Sequence, residues 1–202
     1  MSRKLMRICS LLRCASLAVL VLVAASCGDV VRSSRSPVIL VINSLSAGTP
    51  SSAVLNSDVV KDTCVAPAAP CPSDSNDVGS ATLAVVMKDY TLAPSANNSV
   101  TVTRYHVEYR RADGHNTPGV DVPYSFDGAA TVTIAAGSTS TVGFEIVRHA
   151  AKEESPLIQL RTNPNIIYTI TDVTFFGTDR VGNDVSATGS ISIDFANFAD
   201  TP

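Results

Sequence analysis

The chain has 202 residues, with 15 Lys and Arg against 18 Asp and Glu, a net charge of −3 and no tryptophan. That balance leaves no basic footprint and excludes a nucleic-acid-binding surface of the usual kind. No Gly-x-Ser-x-Gly elbow, His-Glu-x-x-His helix, phosphate loop or dinucleotide glycine pattern occurs, so the common hydrolase and nucleotide-binding classes find no motif here.

The chain opens on a positive segment holding Arg3, Lys4, Arg7 and Arg13, with no acidic residue before Asp29. An apolar run over residues 15–25 follows. It is too short to span a hydrocarbon core, which needs about twenty residues, and fits the h-region of a secretory signal. The run ends in Ala24-Ala25-Ser26-Cys27-Gly28. This junction resembles the lipobox of bacterial lipoproteins, in which small residues lead into a cysteine. The resemblance implies that Cys27 takes a diacylglycerol, that cleavage removes residues 1–26, and that the new amine is acylated. Several acyl chains anchor firmly where one binds only marginally. Gly28 stands where an Asp favours inner-membrane retention, so in a cell with two membranes the outer one is favoured. An ordinary secretory signal with a cysteine at its junction is the alternative.

Cleavage leaves 176 residues and, with four positive charges gone, a net charge of −7. That length suits one domain of ordinary size, or two very small ones, and allows a sizeable core. Of the five cysteines only Cys64 and Cys71 then remain uncommitted. In an oxidising compartment, within a proline-stiffened apolar loop lacking histidine, they are expected to form a disulfide. Residues 28–36 read as a polar tether behind the lipidated Cys27, and residues 37–202 as one domain.

The domain begins with a β-branched apolar run, residues 37–43, read as a first strand. Residues 44–79 are rich in Ser, Ala, Pro, Asp and Asn and read as a long irregular insertion, with a short edge strand over 54–60. A strand follows over 80–90. Residues 100–110 show the clearest alternation: Tyr105, Val107 and Tyr109 on one face, Arg104, His106, Glu108 and Arg110 on the other. Further strands are expected at 130–134, 141–148, 157–161, 166–178 and 186–198. In the last, Ile191, Ile193 and Phe195 alternate with Ser192, Asp194 and Ala196. The alternation of 166–178 slips near Thr171 and Asp172, which predicts a bulge there. Residues 149–155 could form one helical turn. The whole predicts an all-β fold, an antiparallel β-sandwich, behind a helical signal peptide.

Two pieces carry a family likeness. Arg104-Tyr105-His106-Val107-Glu108-Tyr109-Arg110 resembles the third strand of fibronectin type III domains. Asp179-Arg180-Val181-Gly182-Asn183 resembles the hairpin before the last strand of many bacterial immunoglobulin-like domains. Both imply an immunoglobulin-like sandwich, although the early-strand tryptophan of type III domains is absent.

The wet face of the third strand, Arg104, His106, Glu108 and Arg110, is the candidate binding surface. His106, His115 and His149 are expected to be solvated; a zinc site would require the fold to unite them. Residues 74–79 faintly resemble a calcium loop, but Val78 and Val85 occupy positions that want oxygen ligands. Asp113, Asp121 and Asp127, and the run Lys152-Glu153-Glu154, read as wet loops, and Arg110-Arg111 as a surface pair. No metal or cofactor is expected. The expectation is a non-enzymatic, lipid-anchored envelope protein binding a protein or glycan. A structural or assembly accessory is the alternative, and a hydrolase with an unseen site a more distant one.

Overall fold

A computed structural model describes residues 35–48, 54–60 and 76–198. The chain divides into a unit Met1–Ser36, nearly all outside that range, and a unit Pro37–Pro202 that carries the fold. Cys27, the signal segment and most of the tether therefore lie outside the described residues, as do Cys64, Cys71, Asp74 and Ser75.

The domain is all-β. Its strands are β1 (Val38–Ala47), β2 (Val54–Asp58), β3 (Asp77–Met87), β4 (Ser99–Arg110), β5 (Phe126–Ala135), β6 (Thr139–Val147), β7 (Ile167–Asp179) and β8 (Asp184–Ala196). They form a three-stranded sheet, β1-β3-β6, and a five-stranded sheet, β2-β8-β7-β4-β5. The larger sheet curls into a half-barrel. Among the described residues every ladder is antiparallel except β2 on β8, which is parallel. The inner faces of both sheets feed one apolar core.

The alternation in β4 follows the expected parity. Tyr105, Val107 and Tyr109 are buried, as are Ile191, Ile193 and Phe195 of β8. Val100 and Val102 are buried too, although they have the opposite parity to Tyr105. The ladders on both sides of β4 shift register between Val102 and Arg104. One extra residue there turns both inward rows to the core.

The aromatic rings of the core bind the two sheets together. Tyr105 lies 5.3 Å from Phe144 of β6, and Phe144 meets Phe175 of β7 edge-on, also at 5.3 Å. Edge-to-face geometry sets each ring's positive rim against a negative π face. The Tyr105 hydroxyl accepts the Glu145 N–H at 3.1 Å, and the Tyr109 hydroxyl donates to the Ile146 carbonyl at 2.6 Å. Burial raises the pKa of both phenols, so each keeps its proton. Glycines make room for these rings. A Cβ on Gly128 would fall 2.2 Å from the Tyr105 ring, and one on Gly79 2.6 Å from Phe144.

Several expectations need correction. Residues 157–161 form a 3₁₀ helix, Leu157–Arg161, not a strand. Leu157 and Leu160 are both buried, and a turn of three residues puts positions i and i+3 on one side, which a strand does not. The insertion at 44–79 is partly regular, since β1 runs on to Ala47, β2 occupies 54–58 and β3 starts at Asp77. The bulge expected at Thr171 and Asp172 sits in β4 instead. The β7 and β8 registers run unbroken from Ile167 to Thr178. The apparent slip arose because the inward row of β7 is Ile167, Thr169, Thr171, Val173 and Phe175, with two threonines where apolar residues were looked for. Pairing fixes that row, since Thr171 stands between Tyr109 and Ile191, and Val173 beside Val107. The expected Cys64–Cys71 disulfide is withdrawn: there is none among the described residues, and both cysteines lie outside them. Among those residues no helix is long and apolar enough to cross a membrane. The helical turn after β6 is present as α1 (His149–Lys152).

The two threonines allow a direct test. Thr169 Oγ1 donates to the Ile193 carbonyl at 2.8 Å, whereas the buried Thr171 Oγ1 has no hydrogen-bond partner. An unsatisfied buried hydroxyl costs about 1–3 kcal/mol. Thr171→Val should therefore raise stability by about 1 kcal/mol or more in a urea melt, and Thr169→Val should lower it by about 1 kcal/mol. Two losses of equal size would show that Thr171 has a partner.

Candidate functional site

The outer face of the five-stranded sheet carries the residues expected to bind. Arg104 and His106 both approach the Asp127 carboxylate of β5, at 3.2 and 3.3 Å. Arg104 also lies 3.8 Å over the Phe176 ring of β7. Arg110 grips Asp172 with two bonds, Nε to Oδ2 at 2.6 Å and Nη2 to Oδ1 at 3.1 Å. Ser190 of β8 donates to the same carboxylate at 2.6 Å. A hydroxyl pair, Thr174 with Thr188, runs between these rows, and another, Thr101 with Thr133, lies beyond Arg104, each at 2.9 Å. Arg104, His106 and Arg110 are thus engaged with side chains of neighbouring strands. Glu108 stands exposed on the same face. Cross-strand pairs of this kind stabilise a sheet and leave few unmet polar groups for a partner.

The histidines are placed on separate elements. His106 is on β4, His115 lies in the β4–β5 loop beside Asp113 at 3.5 Å, and His149 opens α1. Among the described residues no group of three or more His, Cys, Asp or Glu could hold a metal ion. Asp113, Asp121 and Asp127 also have separate partners. Asp113 pairs with Arg111, which holds its carboxyl down to about 2. Asp121 accepts the Thr117 N–H, which lowers its pKa. Asp77, within the faint calcium motif, is bound by Lys152 at 3.2 Å and by Ser57 at 2.6 Å. Lys152 is buried, so that charge belongs to the interior and not to a wet turn. Glu153 does lie at the surface, paired with Arg161.

A second region is concave. A cleft of about 210 Å³ opens between the end of the β4–β5 loop and the turn after β6. Its walls include Tyr124, Ser125 and Phe126 on one side and Arg148, Glu154 and Ser155 on the other. The loop is held in shape by its own polar groups. The Arg111 N–H donates to Asn116 Oδ1 at 2.6 Å, the Thr117 N–H to Asp121, and the Gly119 N–H to the Val122 carbonyl at 2.8 Å. Gly119 has φ +76°, and a Cβ there would meet the Tyr124 hydroxyl at 2.3 Å. The Tyr124 ring thus rests on glycine backbone while 58% of its surface stays exposed. Arg148 stacks 4.0 Å from the Phe126 ring centre and donates to the Asp127 carbonyl. The sequence reading missed this cleft. Its two walls are joined only by the fold, and the one local signal was an aromatic residue in a loop punctuated by Gly and Pro.

No family model and no curated protein matches the chain. Two solved structures are similar at low levels. Target SoR45 of the Northeast Structural Genomics Consortium is 10% identical, with a TM-score of 0.37 over 82% of this chain and 92% of that one. Spo0M, a sporulation control protein from Bacillus subtilis, is 11% identical, with a TM-score of 0.31 over 78% of this chain and 49% of that one.

The Arg110–Asp172 row should be visible in a pH titration of stability. The Arg110 hydrogen bonds hold the Asp172 pKa below its ordinary value, against burial, which raises it. A carboxylate whose pKa is depressed by folding contributes stability above the unfolded pKa of about 3.9 and loses it as pH falls through the folded value. Asp172→Asn should remove that segment of acid destabilisation. At neutral pH it should cost no more than about 1 kcal/mol, because Arg110 is half exposed and solvent screens the pair. Melts at pH 7 and below pH 4 that show the same difference between wild type and variant would contradict this assignment.

Proposed function

We propose that this chain is a lipid-anchored protein of the cell envelope. Cys27 is acylated after removal of residues 1–26, and residues 27–36 tether an immunoglobulin-like β-sandwich that binds a protein or glycan partner without catalysing a reaction. In a cell with two membranes the outer membrane is the favoured location. The anchoring rests on the apolar segment that leads into Ala24-Ala25-Ser26-Cys27. The strand order supports the sandwich reading. The set β1-β3-β6 faces β2-β8-β7-β4-β5, as an A-B-E sheet faces a G-F-C-C′ sheet, with the split first strand running parallel to the last. The Asp179 carboxylate supports it too. It caps the β7–β8 hairpin through the N–H groups of Val181 and Asn183 at 3.0 and 2.8 Å.

The binding role is carried by one observation: the cleft at Tyr124 and Glu154 is preorganised, aromatic and not satisfied by its own residues. The loops at one end of a sandwich are a usual place for recognition, because a rigid scaffold positions them and their sequence is free to vary.

The anchor is tested by substitution. Cys27→Ala should abolish metabolic labelling with palmitate and release the protein from the membrane fraction. Palmitate labelling that survives the substitution would overturn the lipoprotein reading.

A further inference from the structure

We infer that the cleft between Tyr124 and Glu154 receives one pyranose ring of a neutral glycan, a ligand class that rests on the binding role proposed above. The exposed Tyr124 ring is a flat apolar surface whose π face is negative, and the C–H bonds on one face of a sugar ring present the complementary positive edge. The Tyr124 hydroxyl and the Glu154 carboxylate make no hydrogen bond or ion pair among the described residues. One is a donor and acceptor and the other a strong acceptor, so both are available to sugar hydroxyls. Arg148, in the wall with Glu154, supplies N–H donors, and Ser125, beside Tyr124, a hydroxyl. Ser155 Oγ accepts from Gln159 at 3.3 Å and keeps its own proton to donate.

Size and charge narrow the ligand. The volume of about 210 Å³ is below the roughly 300–1,000 Å³ of pockets for drug-sized molecules and suits a single ring. An anionic ligand would meet Glu154 in the wall, within a domain that is net acidic. A quaternary ammonium ligand would need a cage of aromatic faces, and Arg148 already covers Phe126. A purely apolar ligand would bury the Glu154 carboxylate without a partner. A neutral polyol with one apolar face avoids all three penalties. The loop is already ordered by its Asn116, Asp121 and Gly119 bonds, so little conformational entropy is lost on binding.

The test uses the full-length acylated protein, held in a detergent without a sugar headgroup and applied to an array of neutral and charged oligosaccharides. Retention on neutral glycans is expected. Tyr124→Ala and Glu154→Gln should each weaken it by about tenfold or more, the loss expected when a stacking surface or a charge-assisted hydrogen bond is removed. Tyr124→Phe should keep most of the affinity through stacking. Tyr168→Ala, at an aromatic residue equally exposed on the other face, should change nothing, and all four variants should melt with the wild type. A blank array, or retention confined to anionic glycans, overturns the sugar assignment. Glycan binding indifferent to Tyr124→Ala and Glu154→Gln overturns the site. Photocrosslinking from position 124 in cells separates the two readings: a protein crosslinked there beside a blank array leaves the cleft as a binding site and removes the sugar.

Discussion

The fold depends on two tyrosines of one strand reaching across the core to the backbone of another sheet. Tyr105 and Tyr109 lie on β4, between β7 and the edge strand β5 of the larger sheet, and their hydroxyls end on Glu145 and Ile146 of β6. The site is not arbitrary. The β3–β6 register jumps between Asp77 and Val78, whose partners are Val147 and Glu145. Ile146 is left out of the ladder, so its carbonyl needs another donor. Tyr109 supplies one. A buried phenol and a bulged carbonyl thus satisfy each other, and neither could be buried alone without cost. The rings bring large apolar area with them, and Gly128 is the opening that admits the Tyr105 ring, as Gly79 admits its neighbour Phe144.

Much else follows from that placement. With the tyrosine row of β4 fixed inward, pairing dictates the inward rows of its neighbours. β7 must turn Thr171, Val173 and Phe175 toward the core, and so presents Asp172 and Phe176 outward to Arg110 and Arg104. The ion pairs and hydroxyl pairs of the outer face are therefore consequences of the core register. The strand ends are also set by it, and the ends place the cleft. Phe126 starts β5 one step beyond Asp127, and Arg148 follows β6 directly, so the two walls meet where both strands leave their sheets.

Parts of this were legible in the sequence because they are local. The period-two rows of residues 100–110 and 186–198 reflect burial on one face, and the Asp179-to-Asn183 segment encodes its own hairpin through one carboxylate. The segment 157–161 holds only five residues, too few for the i, i+3 spacing of its two buried leucines to stand out as a helical turn. The bulge was assigned to β7 because threonine at a buried position looks like a break in the pattern, while the real irregularity at Thr103 hides among β-branched residues that favour either parity. The parallel β2–β8 pair and the cleft were not legible at all. Each joins segments far apart in the chain, and the sequence does not show which distant segments will meet.

The edge strand β5 is fastened to β4 unevenly. At one end Thr101 and Thr133 share a hydroxyl contact; at the other Asp127 is held by Arg104 and His106, with more than half of the Arg104 and Asp127 side chains in solvent. Hydroxyls carry no charge to screen, whereas an exposed ion pair weakens as salt rises. The strand therefore has a weak end and a firm end, and the weak end is the one beside Phe126. Brine would loosen the mouth of the cleft more than the hydroxyl-pinned end of the same strand, so the salt around the protein acts as a tuning screw on the cleft end of β5.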